Sequence, residues 1–187
     1  MDSQFFSLKR KVDRYHEVQQ NTLSFRDAWK NGVRDLIQHS LDQICAETGL
    51  AATTEVRSEV DNLEAVALTL GDTPSGLLQI LGAGLRRDLI KHNGALIYQQ
   101  LFNGKVLVLI DYPFIENYGD PRPPKTIVIC RPQELQPPFF LRHVEEWLEE
   151  LIAWEDYDDE EPIKRIGFTF GGNKKGEAGL TLETDVQ

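Results

Sequence analysis

The residues Glu155-Asp156-Tyr157-Asp158-Asp159-Glu160-Glu161 place six carboxylates in seven positions, and such a run could hold a hard cation or a basic protein. Calcium takes several oxygen ligands from one loop. The spacing does not provide them in EF-hand order: counted from Asp156, the sixth position is Glu161 instead of the turn glycine, and the twelfth is Gly167 instead of a bidentate glutamate. The run therefore reads as an acidic surface for a basic partner, continued on a neighbouring helix by Glu145 and Glu149, with Asp156, Asp158, Asp159 and Glu160 at its centre. No metal and no cofactor is expected.

Two other stretches carry usable chemistry. Gly82-Ala83-Gly84-Leu85-Arg86-Arg87 could present backbone amides and two guanidiniums to an anion, with Lys91 and His92 nearby. It is not a dinucleotide fingerprint, because Arg87 stands where the third glycine belongs. The loop from Tyr112 to Lys125 combines Tyr112, Phe114 and Tyr118 with four prolines and the bases Arg122 and Lys125. A proline-stiffened aromatic loop loses little entropy on binding, so it suits a peptide or small ligand; equally, its aromatics could fold onto the core.

Catalytic motifs are missing. The four histidines are scattered without an HExxH pair, and there is no GxSxG and no Walker A motif. Asp111 is followed by Tyr112-Pro113, which removes the acid-x-Lys pattern of a carboxylate nuclease. A non-catalytic role is favoured over an enzyme, whose least strained site would be Asp111 with the loop bases. Cys45 and Cys130 both lie in apolar stretches and read as core thiols, too few for a disulfide scaffold or a four-cysteine zinc site.

Charge is distributed unevenly. Residues 1–132 carry 16 acids against 15 bases and residues 133–187 carry 14 against 5, which together give the net charge of −10. A chain with this balance is poorly suited to broad nucleic-acid binding, which depends on clustered Lys and Arg. No apolar run reaches membrane-spanning length, and the start Met1-Asp2-Ser3-Gln4 followed by Lys9-Arg10-Lys11 has no apolar signal core, so a cytoplasmic protein is expected.

These residues must be positioned by a single core, which 187 residues at 41% hydrophobic content can bury. Phe5, Leu8, Val12 and Tyr15 draw one stripe on a helix over about 3–20, with a break at Asn21-Thr22-Leu23. Ser24 then caps a second helix carrying Phe25, Trp29, Val33, Leu36, Ile37, Leu41, Ile44 and Cys45, closed by Gly49. Its surplus apolar surface, with Phe5, Leu8 and Val12 of the first helix and Phe25 and Trp29 of the second, points to self-association. Residues 54–60, 63–70 and 77–81 read as a three-stranded meander, and 85–90 as a short helix. Asn103-Gly104 between two apolar runs predicts a hairpin over 95–112 with a type I′ turn. The run 106–110 is apolar on both faces, which predicts helices above and below it. A strand at 126–130, a helix opened by Pro137-Pro138 and a terminal hairpin after the acidic run complete the order.

The fold class is α+β: a mainly antiparallel sheet of about six strands packed with two N-terminal helices and one C-terminal helix. Residues 1–50 form a helical hairpin on the body or a partner, 51–154 the body, and 155–187 an acidic run with a hairpin or tail. In element order and acidity the chain resembles small secretion chaperones, acidic α+β homodimers that hold segments of partner proteins; the second N-terminal helix and the terminal hairpin depart from that plan. The function expected is a non-catalytic adaptor, chaperone or accessory subunit binding a basic protein through its acidic end. The competing expectation is a small-ligand or nucleotide-responsive domain using 82–91 and 112–125.

Overall fold

The structure, a computed structural model, describes residues 3–82 and 84–157. The terminal hairpin expected after the acidic run, and Asp158, Asp159 and Glu160, lie outside the described residues.

The chain opens with helix α1 (Ser3–Ala28), passes a π-helical turn at Trp29–Val33 and continues as α2 (Arg34–Thr48). The break expected at 21–23 does not occur. Thr22 satisfies its hydroxyl inside the helix by donating to the Val18 carbonyl at 3.1 Å, and Ser24 lies in mid-helix instead of capping one. The helix bends ten residues later, where Asn31 and Gly32 leave helical dihedrals. A glycine is the weakest helix former short of proline, and the bend lets Trp29 and the Ile37, Leu41 and Ile44 row of α2 face one core. Gly49 ends α2 in the left-handed conformation expected of it, φ 73°.

Strands β1 (Thr53–Arg57), β2 (Ala65–Thr69), β5 (Ala95–Gln100), β6 (Val106–Asp111) and β8 (Lys125–Cys130) form an antiparallel sheet in the order β1-β2-β5-β6-β8. A second antiparallel sheet joins β3 (Asp72–Ile80), β4 (Arg86–His92) and β7 (Phe114–Ile115). The meander is thus corrected: β3 leaves β2 and pairs with β4, while β2 pairs with β5. The short helix expected at 85–90 is strand β4. Leu85, Leu89 and Ile90 fit either period over so short a run, and pairing along both sides by β3 and β7 decides for the strand. Pro74 sits in β3, an edge strand, where its missing amide leaves no ladder bond unmade.

The 95–112 hairpin forms as expected, but its turn is a different one. Only Gly104 takes positive φ, at 76°, and the Leu101 amide bonds to the Lys105 carbonyl at 2.8 Å around a three-residue connection.

Helix α3 (Pro137–Glu155) buries Phe140, Val144, Trp147 and Leu151, the stripe its spacing predicts. These side chains meet Trp29, α2 and the β2, β5 and β6 face bearing Val66, Leu68, Leu96, Tyr98, Val106, Val108 and Ile110 in one core. Cover on both faces of β6 was expected, and the helices supply it on one. On the opposite face Ile97 and Leu109 lie half-buried in register, beside Leu107 and the exposed Ile129.

Candidate protein-binding surfaces

Among the described residues, the N-terminal half of α1 carries a long exposed apolar stripe. Every residue from Phe5 to Gln20 is exposed, and contact with the body starts only around Asn21. Phe5 is 67% exposed, Leu8 57%, Val12 42% and Tyr15 60%, so the expected stripe is present and unpaired among the described residues. The C-terminal half is anchored instead. Arg26 donates to the Phe102 carbonyl at 2.6 Å, and Phe25 lies against the hairpin turn so closely that a Cβ on Gly104 would come within 2.8 Å of it. Of the residues assigned to self-association, then, Phe5, Leu8 and Val12 are exposed among the described residues, Phe25 is half-buried, and Trp29 is wholly inside the core.

Trp29 is held there by a polar contact that the sequence does not announce. Its indole Nε1 donates to Glu64 Oε2 at 3.0 Å, and Arg34 donates to the same oxygen at 3.3 Å. Glu64 is almost entirely buried, so the Trp29 hydrogen bond and the Arg34 charge together offset the cost of desolvating its carboxylate.

A groove of about 430 Å³ runs between α2 and α3. Leu36, Ser40, Gln43 and Glu47 line it from α2, and Pro137 and Leu141 line it from α3. The sequence reading missed it, because it requires two helices a hundred residues apart to lie side by side; the exposed Leu141 on a helix with an otherwise regular buried stripe was the available signal.

On α3, Glu145 and Glu149 are exposed. Glu146 and Glu150, on the same helix, hold Lys125, at 3.0 and 2.6 Å. Tyr112 donates to Glu150 at 3.0 Å and Arg122 stacks over the Tyr112 ring. The Glu150 carboxyl is held below its ordinary range, mainly by the Lys125 hydrogen bond, and Lys125 is pushed up by Glu150 and then Glu146. The start of the 112–125 loop is therefore tied to α3. Phe114 pairs in β7 and stacks on His92 with ring centroids 4.3 Å apart, and Tyr118 is half-buried.

The cations assigned to an anion site are distributed along β4 and are largely paired. Arg87 bonds Glu116 at 2.6 Å, Lys91 bonds Glu155 and lies over the Trp154 ring, and His92 contacts Asp72 at 2.7 Å. Arg86 is exposed on the same strand. Arg122 and Lys125 belong to the separate α3 cluster, so the structure does not gather the six into one pocket.

Two further polar residues, His143 and Gln100, are buried in the core. His143 is buried with Nδ1 3.1 Å from the Tyr98 hydroxyl, and burial pushes its pKa down, with Arg142 adding to the shift. The same burial raises the Tyr98 hydroxyl above its usual range. Gln100, two residues from Tyr98 on β5, is fully buried with no hydrogen-bond partner for its side-chain amide among the described residues. The cysteines pack at the core edge, and burial raises both thiols, Cys130 to about 11, which leaves neither as a ready thiolate nucleophile.

Among the described residues no cluster of three or more His, Cys, Asp or Glu is placed to hold a metal, and no helix is long and apolar enough to cross a membrane. Comparison with family models, with curated proteins and with solved structures returned no match for this chain.

Proposed function

We propose that the protein is a non-catalytic accessory subunit, an adaptor or chaperone of the cytoplasm, that works by holding other proteins. The observation that carries this reading is the exposed stripe Phe5, Leu8, Val12 and Tyr15 on a helix standing off the body. An isolated helix of that length is marginal in water, and large apolar side chains on it favour a second surface. A basic protein would engage the acidic end, where Glu145, Glu149 and Asp156 are exposed and the charge of 133–187 is concentrated. The test is co-purification with the products of the genes flanking its own, at low and high salt, using the whole chain and a chain ended at Tyr157. A partner retained at low salt, released by high salt and lost on truncation is expected. Failure of every neighbour to bind at either salt concentration would remove the reading.

A further inference from the structure

We infer that the chain forms a homodimer by reciprocal exchange, the free half of α1 from each copy lying in the α2/α3 groove of the other. The inference rests on the protein-binding reading above and names the occupant of two surfaces that reading leaves open. The helix and the groove match in chemistry and in length. The stripe from Phe5 to Tyr15 covers about 15 Å at 1.5 Å per residue, and the α2 wall from Leu36 to Thr48 about 18 Å. The groove is bordered by Leu36 and Leu141, both exposed in the single chain. An amphipathic helix seated in an apolar groove is a recurrent mode of protein recognition.

Charge selects the partner. In the heptad that puts Phe5, Leu8, Val12 and Tyr15 on the seam, the flanking positions hold Lys9 and Lys11, while Arg10, Asp13, Arg14 and Glu17 lie further round, Arg14 paired with Glu17 at 2.8 Å. No acid flanks the seam, so two α1 helices laid together would bring uncompensated cations alongside one another. The two groove helices carry the opposite sign. Beside single arginines, Arg34 and Arg142, α2 has Asp35, Asp42 and Glu47, and α3 has Glu145 and Glu149 in addition to the three glutamates already held by Lys125 and Lys91, with Glu47 lining the groove and Glu145 continuing the Pro137 and Leu141 row at helical spacing. A basic apolar helix thus meets an apolar groove with acidic walls, on the same molecule but out of its own reach, because α1 departs from the body before α2 begins.

The experiment is light-scattering mass of the whole chain and of variants at exposed positions, Leu8→Asp on the helix and Leu141→Asp or Leu36→Asp in the groove. Unchanged far-UV circular dichroism and a cooperative thermal transition will confirm that the variants fold, with a lower melting temperature expected from the loss of the partner. The wild type is expected at twice the 21.3 kDa chain mass, and each variant at the monomer mass. A mixture of Leu8→Asp with Leu141→Asp should regain dimers, since one intact helix still meets one intact groove. A dimer broken by Leu8→Asp but indifferent to both groove variants would overturn the exchange in favour of α1 pairing with α1. A wild-type monomer at tens of micromolar would overturn it as well, while salt-sensitive capture of a flanking gene product would leave the adaptor reading standing.

Discussion

At the residue scale the core is most exposed to test at its polar members. The fold holds His143 neutral, because burial lowers its pKa below that of the free imidazole. In the unfolded chain it protonates near pH 6.5. Stability is therefore complete above about pH 6.5 and falls as pH drops from there toward the folded pKa, since the unfolded state then binds a proton that the native state refuses. Urea unfolding of His143→Gln across pH 5 to 8 should show a flatter profile than the wild type. An unchanged acid slope would place the sensitivity elsewhere. Gln100 makes the converse case: its amide has no partner among the described residues, so Gln100→Leu, which keeps volume and removes the desolvated group, should hold or raise stability, by up to about 2 kcal/mol. Chemical denaturation measures it, and a loss above about 1 kcal/mol would mean the amide is satisfied in solution. The pairing of His143 with Tyr98, 45 positions away, depends on how α3 crosses β5 and has no local signal in the sequence.

At the element scale, legibility followed the strength of local signals. Proline at the first turn of α3, Gly49 after α2 and Asn103-Gly104 between apolar runs all act within a few residues, and all three elements stand where those signals put them. The turn type escaped because a neighbour takes part in it. Gly104 lies under α1, and an added Cβ would come within 2.9 Å of the Thr22 carbonyl as well as 2.8 Å of Phe25. Gly104→Ala should therefore cost about 1–3 kcal/mol, from positive φ and the clash together, and should loosen α1 before the sheet melts. Hydrogen exchange would show faster exchange in residues 21–28 with the β5 and β6 amides still protected; loss of protection in both at once would show that helix and sheet unfold together. The bend at Asn31-Gly32 is a comparable case. The glycine was visible, yet Thr22 and Ser24 gave the louder break signal, and contacts from distant parts of the chain, the shared core of Trp29, Ile37, Leu41 and Ile44 and the Glu64 bonds to Trp29 and Arg34, distinguish the two places. Glu64→Ala should leave the Trp29 indole buried and unpaired and destabilise the protein by about 1–3 kcal/mol, read as a lower urea midpoint with an unchanged slope. A changed slope would mean that the native state itself has become less compact.

At the scale of the whole molecule, the amino-acid order alone determined the α+β class, the antiparallel hairpin of β5 and β6, the helix after Pro137 and the imbalance of charge toward the C-terminal third. Each of these depends on composition or on residues near one another in the chain, where hydrophobic period, proline, glycine and formal charge act directly. Only the tertiary structure decided that β3 and β4 leave the main sheet, that Lys125 and Tyr112 occupy Glu146 and Glu150, that the cations of β4 are mostly paired, and that α1 stands off while α2 and α3 enclose a groove. Strand partners far apart in the chain are chosen by which face can be buried and at what entropy of closure, a competition that no window of sequence contains. Whether an apolar stripe is covered is likewise a property of everything that could have packed on it, and so Phe5, Leu8, Val12 and Tyr15 could be recognised as a stripe from their spacing but as an uncovered one only in the folded chain.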